Sequence, residues 1–200
     1  MTEHYYSRNP EVDSKPAFWN YTLRGNSFRF KTDQGVFSKS EVDFGSRLLI
    51  ESFVMPDIEG EILDVGCGYG PIGLSVAKSE PSRLVHMVDV NQRAIELAKE
   101  NASSNQISNV KIYESDRLEN VTDNNFCAIL TNPPIRAGKT VVHDILVKSY
   151  EYLSSQGELW VVIQKKQGAP SAKDKMKEIF DEVEVVCKDK GYYILRAKKC

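Results

Sequence analysis

From residue 61 onward, short apolar runs alternate with stretches in which apolar residues recur every three or four positions. A short apolar run fits a buried strand, and the periodic stretches fit amphipathic helices. This alternation predicts an α/β domain built on a parallel sheet with crossover helices. The predicted strands are EILDV (61–65), RLVHMVDV (83–90), NVKIYES (109–115), FCAILT (126–131), GELWVVIQ (157–164), VEVVCK (183–188) and YYILRAK (192–198).

Periodicity and capping residues place the helices. Ser40 with Asp43 has the form of a capping box and predicts a helix near 41–54. Asn91 is predicted to be the N-cap of a later helix. KDKGYY, near the end, reads as a tight hairpin, so the last two strands should be antiparallel. The predicted buried helix faces hold Ala94, Ile95, Ala98 and Ala102, and then Val142, Ile145, Leu146, Ser149 and Leu153.

The length and composition fit one domain with an N-terminal extension. The chain has 200 residues, of which 41% are hydrophobic, enough for one full core. Residues 1–39 are aromatic, polar and weakly periodic, and they could form a strand pair that turns at Gly25-Asn26 and covers the active site. We therefore expect an extension over 1–39 and the main domain over 40–200.

Several classes of protein are disfavoured by the composition. No apolar run approaches the roughly 20 residues of a membrane span, and the first residues lack a signal-peptide core, so a cytoplasmic protein with no membrane partner is expected. Four cysteines without a Cys-x-x-Cys pair and three scattered histidines predict reduced thiols and no metal site.

Charge is unevenly distributed along the chain. Residues 1–40 carry six basic and four acidic side chains, 41–159 carry ten and eighteen, and 160–200 carry ten and six. Basic ends on an acidic body are compatible with nucleic-acid contact on one face, although solvated lysines are the commoner explanation. The oligomeric state is left open by the sequence, as monomer or weak dimer.

A glycine-rich loop follows the first strand of the main domain. EILDVGCGYGPIG places glycines at 66, 68, 70 and 73 between a strand and a helix, where the backbone can turn sharply and a ligand can approach it closely. Gly68, Gly70 and Gly73 satisfy the dinucleotide pattern, and Asp89 follows at the expected distance. On glycine spacing alone, a dinucleotide and a methyl donor are equally favoured.

Three carboxylates at successive strand ends favour the methyl donor. Asp64, just before the loop, could meet a cationic amino-acid group but would repel a pyrophosphate. Asp89 could accept from two ribose hydroxyls, and Asp116 from an adenine amino group. A ligand that combines an amino acid, a ribose and a purine is S-adenosylmethionine. Gly66, Gly68 and Gly70 would then hold it with these carboxylates.

Four short motifs together resemble the class I S-adenosylmethionine-dependent methyltransferases over about residues 35–200: DVGCGYG, VDVN, ESD and NPPI. GVFSKSEVDFGSRLL and TNPPIRAGK are more narrowly similar to the ribosomal RNA guanine-N2 methyltransferases of the RsmC type, in their short single-domain bacterial form. The resemblance implies a Rossmann-like seven-stranded mixed sheet with the last strand antiparallel and helices on both faces. It also implies that Phe37 packs beside the donor, and that the exocyclic N2 amino group of a guanine in small-subunit (16S) ribosomal RNA is the acceptor.

The Asn-Pro-Pro turn after the fourth strand is the predicted catalytic element. If the Asn132 side-chain oxygen and the Pro133 carbonyl accept the two protons of an amino group, its lone pair can point at the methyl group. Prolines hold both acceptors rigidly. Ile135 departs from the family pattern, which has an aromatic residue that stacks on the base. The expected substrate-binding residues are Pro134, Ile135, Arg136, Lys165 and Lys166, the last three toward RNA phosphates.

Two other functions stay open at this point. A protein glutamine or other amide could be the methyl acceptor, because the same Asn-Pro-Pro chemistry serves amide nitrogen. Alternatively, the chain could be a non-catalytic RNA-binding or ribosome-assembly module with a vestigial donor site. Intact Asp64, Asp89, Asp116 and Asn132 argue against such decay.

Overall fold

A seven-stranded mixed sheet forms the centre of the computed structural model, which describes residues 6–38 and 40–200. Its strands are β3 (Glu61–Val65), β4 (Val85–Asp89), β5 (Val110–Glu114), β6 (Phe126–Thr131), β7 (Leu153–Gln164), β8 (Glu182–Asp189) and β9 (Tyr192–Lys198). Their order in the sheet is β5-β4-β3-β6-β7-β9-β8. Neighbours from β5 through β7 are parallel, and β9 is antiparallel to both β7 and β8. The predicted fold class is thereby confirmed, including the antiparallel last strand.

Five helices cover the two faces of the sheet: α1 (Phe44–Ser52), α2 (Pro71–Ser79), α3 (Gln92–Ser104), α4 (Lys139–Tyr152) and α5 (Ala169–Ile179). Successive strand residues point to opposite faces, so Ile62 and Leu63 belong to two different cores. One core includes residues of α1, α2 and α3, and the other includes residues of α4 and α5. This arrangement leaves the carboxyl ends of the parallel strands together at one edge.

An antiparallel hairpin of β1 (Ala17–Leu23) and β2 (Asn26–Thr32) forms a separate two-stranded sheet. The turn uses Arg24 and Gly25, both with positive φ, so it lies one residue earlier than the predicted Gly25-Asn26 turn. The side chains of Asn101 on α3 and of Asn105 at its C-cap form hydrogen bonds with the backbone of Lys31 and Arg29, as a neighbouring strand would. The hairpin therefore lies against the helical face.

Two further sequence-based details are wrong. Asp43, not Ser40, is the N-cap of α1, because its carboxylate accepts a hydrogen bond from the Ser46 amide at 2.9 Å. Leu153 is the first residue of β7 and not the last of a helical stripe, so that strand starts four residues before the predicted 157. Asn91 caps α3 as predicted, through a bond from Ala94 N.

The four cysteines are free thiols, of which Cys67 and Cys127 are buried and Cys200 is exposed. In the part of the chain that the structure describes, no helix is both long enough and apolar enough to cross a lipid bilayer.

Candidate active site

A cavity of about 230 Å³ opens at the carboxyl edge of the parallel strands. Nine of the residues singled out in the sequence line it: Phe37, Gly66, Gly68, Asp89, Asn132, Pro133, Pro134, Ile135 and Arg136. Asp64, Gly70, Asp116, Lys165 and Lys166 do not line it. The donor-type residues and the Asn-Pro-Pro turn therefore share one cavity, although more than 40 residues separate Asp89 from Asn132 along the chain.

The glycine loop forms a cradle for a ligand. Gly66 and Gly68 have φ of 76° and 57°, a region that other residues rarely adopt. A Cβ atom added at either position would have no protein atom within 4 Å, so the space beside the backbone is open. Gly70 has a different reason to be glycine, because a Cβ there would lie 2.8 Å from Leu74 at the start of α2.

Asp64 lies beneath this cradle and is completely buried. Its Oδ2 accepts a hydrogen bond from Gly73 N at 2.9 Å, but its buried Oδ1 has no hydrogen-bond partner in the described part of the chain. Burial, with a smaller contribution from the nearby Asp89 charge, raises the pKa of Asp64 to about 8. An unpaired buried carboxylate oxygen behind an open glycine cradle fits a cationic ligand, although direct contact between the two stays a prediction.

Asp89 faces the cavity from the end of β4. Its two oxygens accept hydrogen bonds from Gly68 N at 2.8 Å and Asn91 N at 2.9 Å, which fixes the carboxylate beside the cradle. Burial raises the pKa of Asp89 to about 6 despite these bonds. Each carboxylate oxygen can accept more than one bond, so the group can still bind hydroxyl protons of a ligand.

Asp116 lies behind the cavity wall rather than in it. Its Oδ1 accepts from the Tyr6 hydroxyl at 2.6 Å and from Arg117 Nε at 2.9 Å, and Oδ2 accepts from Arg117 at 3.1 Å. The hydrogen bond from Arg117 is the main reason that the pKa of Asp116 is lowered. Tyr6 and Arg117 themselves line the cavity, so contact between Asp116 and an adenine amino group is a prediction that needs the Tyr6 contact to open.

The orientation of the Asn132 amide is fixed from behind. Asn132 Nδ2 donates to Asp43 Oδ2 at 3.1 Å and to Ser46 Oγ at 3.0 Å. A carboxylate can only accept hydrogen bonds, so the nitrogen must be the atom that faces Asp43. Oδ1 makes no hydrogen bond within the described residues and is not buried, so it is left available at the cavity surface.

The strand before the turn sets its position. Thr131, the last residue of β6, pairs with Val65 and donates from Oγ1 to the Val65 carbonyl at 2.8 Å. Asn132 therefore leaves the sheet directly beside the point where Gly66 leaves it. Pro133 and Pro134 are both buried, and no hydrogen bond among the described residues uses the Pro133 carbonyl.

The remaining predicted substrate residues differ in their environments. Ile135 lines the cavity and also packs against the core beside α4. Arg136 is an exposed cavity residue. Lys165 and Lys166 are exposed and lie next to Gln167, which lines the cavity, but they do not line it themselves.

Several cavity residues were not predicted as site residues, among them Tyr6, Asp43, Ser46 and Tyr192. Asp43 was recognised only as part of a capping motif, and Tyr192 only as a strand residue. An Asp before a helix is ordinary N-cap chemistry, so the DFGS stretch does not show that Asp43 also contacts Asn132. No local pattern marks Tyr6 or Tyr192.

One group of potential metal ligands lies apart from the cavity. A ring nitrogen of His86 and carboxylate oxygens of Glu61 and Asp123 lie within 4.8 Å of one another. His86 already has both nitrogens engaged, with Glu61 Oε2 at 2.7 Å and the Tyr113 hydroxyl at 3.0 Å. These contacts explain the buried histidine without an ion.

Comparison with known proteins identifies the family. The model of the methyltransferase small domain family matches residues 27–196. The chain is 63% identical over its full length to the uncharacterized protein YbxB of Bacillus subtilis (strain 168), and covers all of it. It is also 30% identical to ribosomal RNA small subunit methyltransferase C of Vibrio cholerae, over 94% of this chain and 55% of that protein. The chain thus spans about half the length of the methyltransferase C relatives.

Solved structures agree on the fold. The 16S rRNA N2 methyltransferase RsmC of T. thermophilus, in complex with AdoMet and guanosine, superposes with a TM-score of 0.83 at 23% identity, covering 96% of this chain and 52% of that one. A methyltransferase of Pyrococcus furiosus gives 0.65 at 19% identity, covering 76% and 80%. The chain belongs to the methyltransferase small domain family, with the class I fold and S-adenosylmethionine as its cofactor.

Proposed function

We propose that this protein methylates ribosomal RNA, at the exocyclic N2 amino group of a guanine in the small-subunit (16S) RNA. The observation that carries the proposal is the fixed Asn132 amide, whose free oxygen shares a cavity with the glycine cradle. Relatives named as ribosomal RNA small subunit methyltransferases support the class of acceptor. An enzyme with this substrate works in the cytoplasm.

On the donor side, S-adenosylmethionine would supply an electrophilic methyl group on a sulfonium centre. Gly66 and Gly68 would let the donor approach the protein backbone closely, and Asp89 would accept hydrogen bonds from the ribose hydroxyls of the donor. The buried Asp64 would favour the positive charges of the donor through its field.

The N-terminal extension, residues 1–39, is proposed to close the donor side of the cavity over the domain at 40–200. Tyr6 is a wall residue of the cavity, and the carbonyl of Arg8 accepts from Gln92 N at 2.9 Å at the start of α3. Hairpin residues 17–32 do not line the cavity, so the segments on either side of the hairpin, represented by Tyr6 and Phe37, form the cover.

On the acceptor side, Asn132 Oδ1 and the Pro133 carbonyl would accept the two protons of the guanine amino group. The donor would supply the methyl carbon: the nitrogen lone pair would form the new bond to it as the sulfur–carbon bond breaks, and the sulfur would keep that electron pair. Positive charge that develops on the nitrogen lies against both oxygens, and one proton later leaves to solvent. Because the prolines and Asp43 hold both acceptors in place, little reorganisation is required.

The direct experiment uses an isotope-labelled methyl donor with three acceptors: 16S RNA lacking the modification, assembled small subunits, and total protein. Nucleoside mass analysis should give N2-methylguanosine from one of the two RNA substrates. Label found only in protein would make an amide the acceptor, and donor binding without transfer would indicate a non-catalytic module.

Asn132→Ala should reduce turnover by about 10²-fold or more while donor affinity stays nearly unchanged. The exposed Asn20 on the hairpin provides a matched control, since Asn20→Ala removes the same amide far from the cavity lining. Near-normal turnover of Asn132→Ala would disprove the catalytic role, and loss of donor binding would instead indicate misfolding.

A further inference from the structure

The order of strands determines from which side an acceptor can reach Asn132. The glycine cradle and Asp89 follow β3 and β4, on one side of β6 in the sheet. The neighbours of β6 on its other side are β7 and then β9. A donor held over β3 and β4 therefore leaves only the β7–β9 side for the base.

An aromatic ring occupies that side. Tyr192, the first residue of β9, pairs with Gln164 at the end of β7 and lines the same cavity as Asn132. Its ring lies against Gly45, where a Cβ atom would be only 2.8 Å from Tyr192 Cε1. The absence of a side chain at Gly45 thus leaves room for the ring. Gly45 lies in the sequence between Asp43 and Ser46, the two residues that orient Asn132.

Tyr192 is part of a cluster of aromatic rings and cations. The Phe44 ring lies 5.4 Å from the Tyr192 ring, and Arg47 and Lys190 lie over Phe44 at 5.1 Å and 4.8 Å. Neither cation forms an ion pair with any residue in the ranges 6–38 and 40–200. We call these four residues, Phe44, Arg47, Lys190 and Tyr192, the acceptor platform.

We propose that the acceptor platform binds the target nucleotide, with the base stacked on Tyr192 and the adjoining phosphates held by Arg47 and Lys190. Aromatic rings beside cations that form no ion pair among the described residues match the chemistry of an unstacked RNA base and its backbone, and Arg47 makes only a long hydrogen bond, to the Tyr21 hydroxyl at 3.4 Å. The platform thereby supplies the aromatic contact that Ile135 cannot give. This inference rests on the proposed RNA acceptor and names the residues that bind it.

Substitutions of Tyr192 test the stacking. Tyr192→Leu should lower kcat/KM for RNA by about 10- to 100-fold, the range expected for losing one base–aromatic stack, and Tyr192→Phe should stay within about 3-fold of wild type. Tyr193→Leu is the matched control, because Tyr193 is the next residue of β9 and packs toward the other core. Donor affinity should be unchanged in all three variants.

Substitutions of the cations test the phosphate contacts, because both cations lie over the Phe44 ring and neither lies over the Tyr192 ring. Lys190→Ala and Arg47→Ala should each weaken RNA binding and reduce the slope of log K against log salt by about one. Lys177→Ala, an exposed lysine in the last turn of α5, should leave the slope unchanged.

The outcomes separate this inference from the proposed function. If the wild-type protein transfers methyl groups to RNA but Tyr192→Leu is as active as Tyr193→Leu, the proposed acceptor platform is wrong and the proposed enzymatic function stands. Salt slopes that stay unchanged in both cation variants would lead to the same conclusion. Absence of transfer to RNA by the wild-type protein would overturn the proposed function first.

Discussion

Asp64→Asn should make the protein more stable and a weaker binder of the methyl donor. The wild-type carboxyl is completely buried with one oxygen unpaired, and its pKa is raised from 3.8 to about 8. A raised carboxyl pKa means that the fold prefers the neutral form. The stability that the neutral Asp64 carboxyl contributes to the fold is fully present below pH 3.8 and is lost as pH rises toward 8.

The size of the effect follows from this shift. Each pH unit between the unfolded and folded pKa of Asp64 removes about 1.4 kcal/mol, so about 4 kcal/mol has been lost at pH 7. Asparagine does not ionise, and its carbonyl can keep the bond from Gly73, but its amide nitrogen is then buried without an acceptor at a cost of about 1–3 kcal/mol. A net gain of about 1–3 kcal/mol corresponds to a melting temperature higher by roughly 5 °C.

Thermal melts of the ligand-free protein between pH 5 and 9, with calorimetric titration of the donor, measure both effects. Donor affinity should fall at least about 10-fold, because the positive charges of the donor favour ionisation of Asp64 on binding, whereas an amide cannot ionise. Asp33→Asn is the control, in which the change in stability should have the opposite sign. Burial would raise the pKa of Asp33, but hydrogen bonds from Ser14, Lys15 and Gln34 outweigh it and lower the pKa, so this variant should lose stability at pH 7. An Asp64→Asn melting curve with the same pH dependence as wild type would refute the reasoning.

Three further predictions concern the cradle, the ribose site and the hairpin. Gly68→Ala should lower donor affinity at least about 10-fold, because it places a methyl group in the open cradle. Gly25→Ala is the control: Gly25 also has a positive φ, of 74°, so both variants should lose about 1 kcal/mol of stability in thermal melts, but only Gly68→Ala should lose donor affinity. Donor affinity should weaken as pH falls below about 6, where Asp89 becomes protonated, and calorimetry in Asp89→Asn should show no such step. Arg24→Ala should cost about 1–3 kcal/mol in denaturant melts, because Arg24 bonds the Ile50 and Phe53 carbonyls at the end of α1, and an unchanged midpoint would contradict this.

The sheet could be predicted from sequence because its strands have local signals. The ranges predicted for β3, β6 and β9 match the observed bounds, since each is an apolar run bounded by residues that break a strand. The start of β7 was missed because LSSQG contains no apolar alternation, and only pairing of Leu153 with Phe126 in β6 makes it a strand. The pairing partner, and not the local sequence, decides the structure of such segments.

Site residues could be predicted from the sequence where a single motif indicates both the position of a residue in the fold and its chemical role. The glycines, Asp89 and Asn132 follow strands directly, so the order of elements brings them to one edge. Asp64 shows the limit of this reasoning, because the sequence places it at a strand end but cannot say that its side chain points beneath the loop. Tyr192 reaches the cavity only because β9 is inserted beside β7, which no local pattern near 192 encodes.

The polarity of the Asn132 side chain depends on a contact that spans 89 residues. An asparagine could present either its oxygen or its nitrogen to the cavity, and only the oxygen can accept a proton of an amino group. Asp43 removes this ambiguity, and the same carboxylate caps α1. The first turn of α1 also contains Ser46, which bonds Asn132, and Gly45, against which the Tyr192 ring packs. The start of one helix therefore connects the predicted acceptor of the amino protons with the proposed platform for the base. A rotation of α1 about its N-terminus would displace Asn132 and Tyr192 together, because Asp43 and Ser46 hold Asn132 while Phe44 and Gly45, which lie between them in the sequence, contact Tyr192.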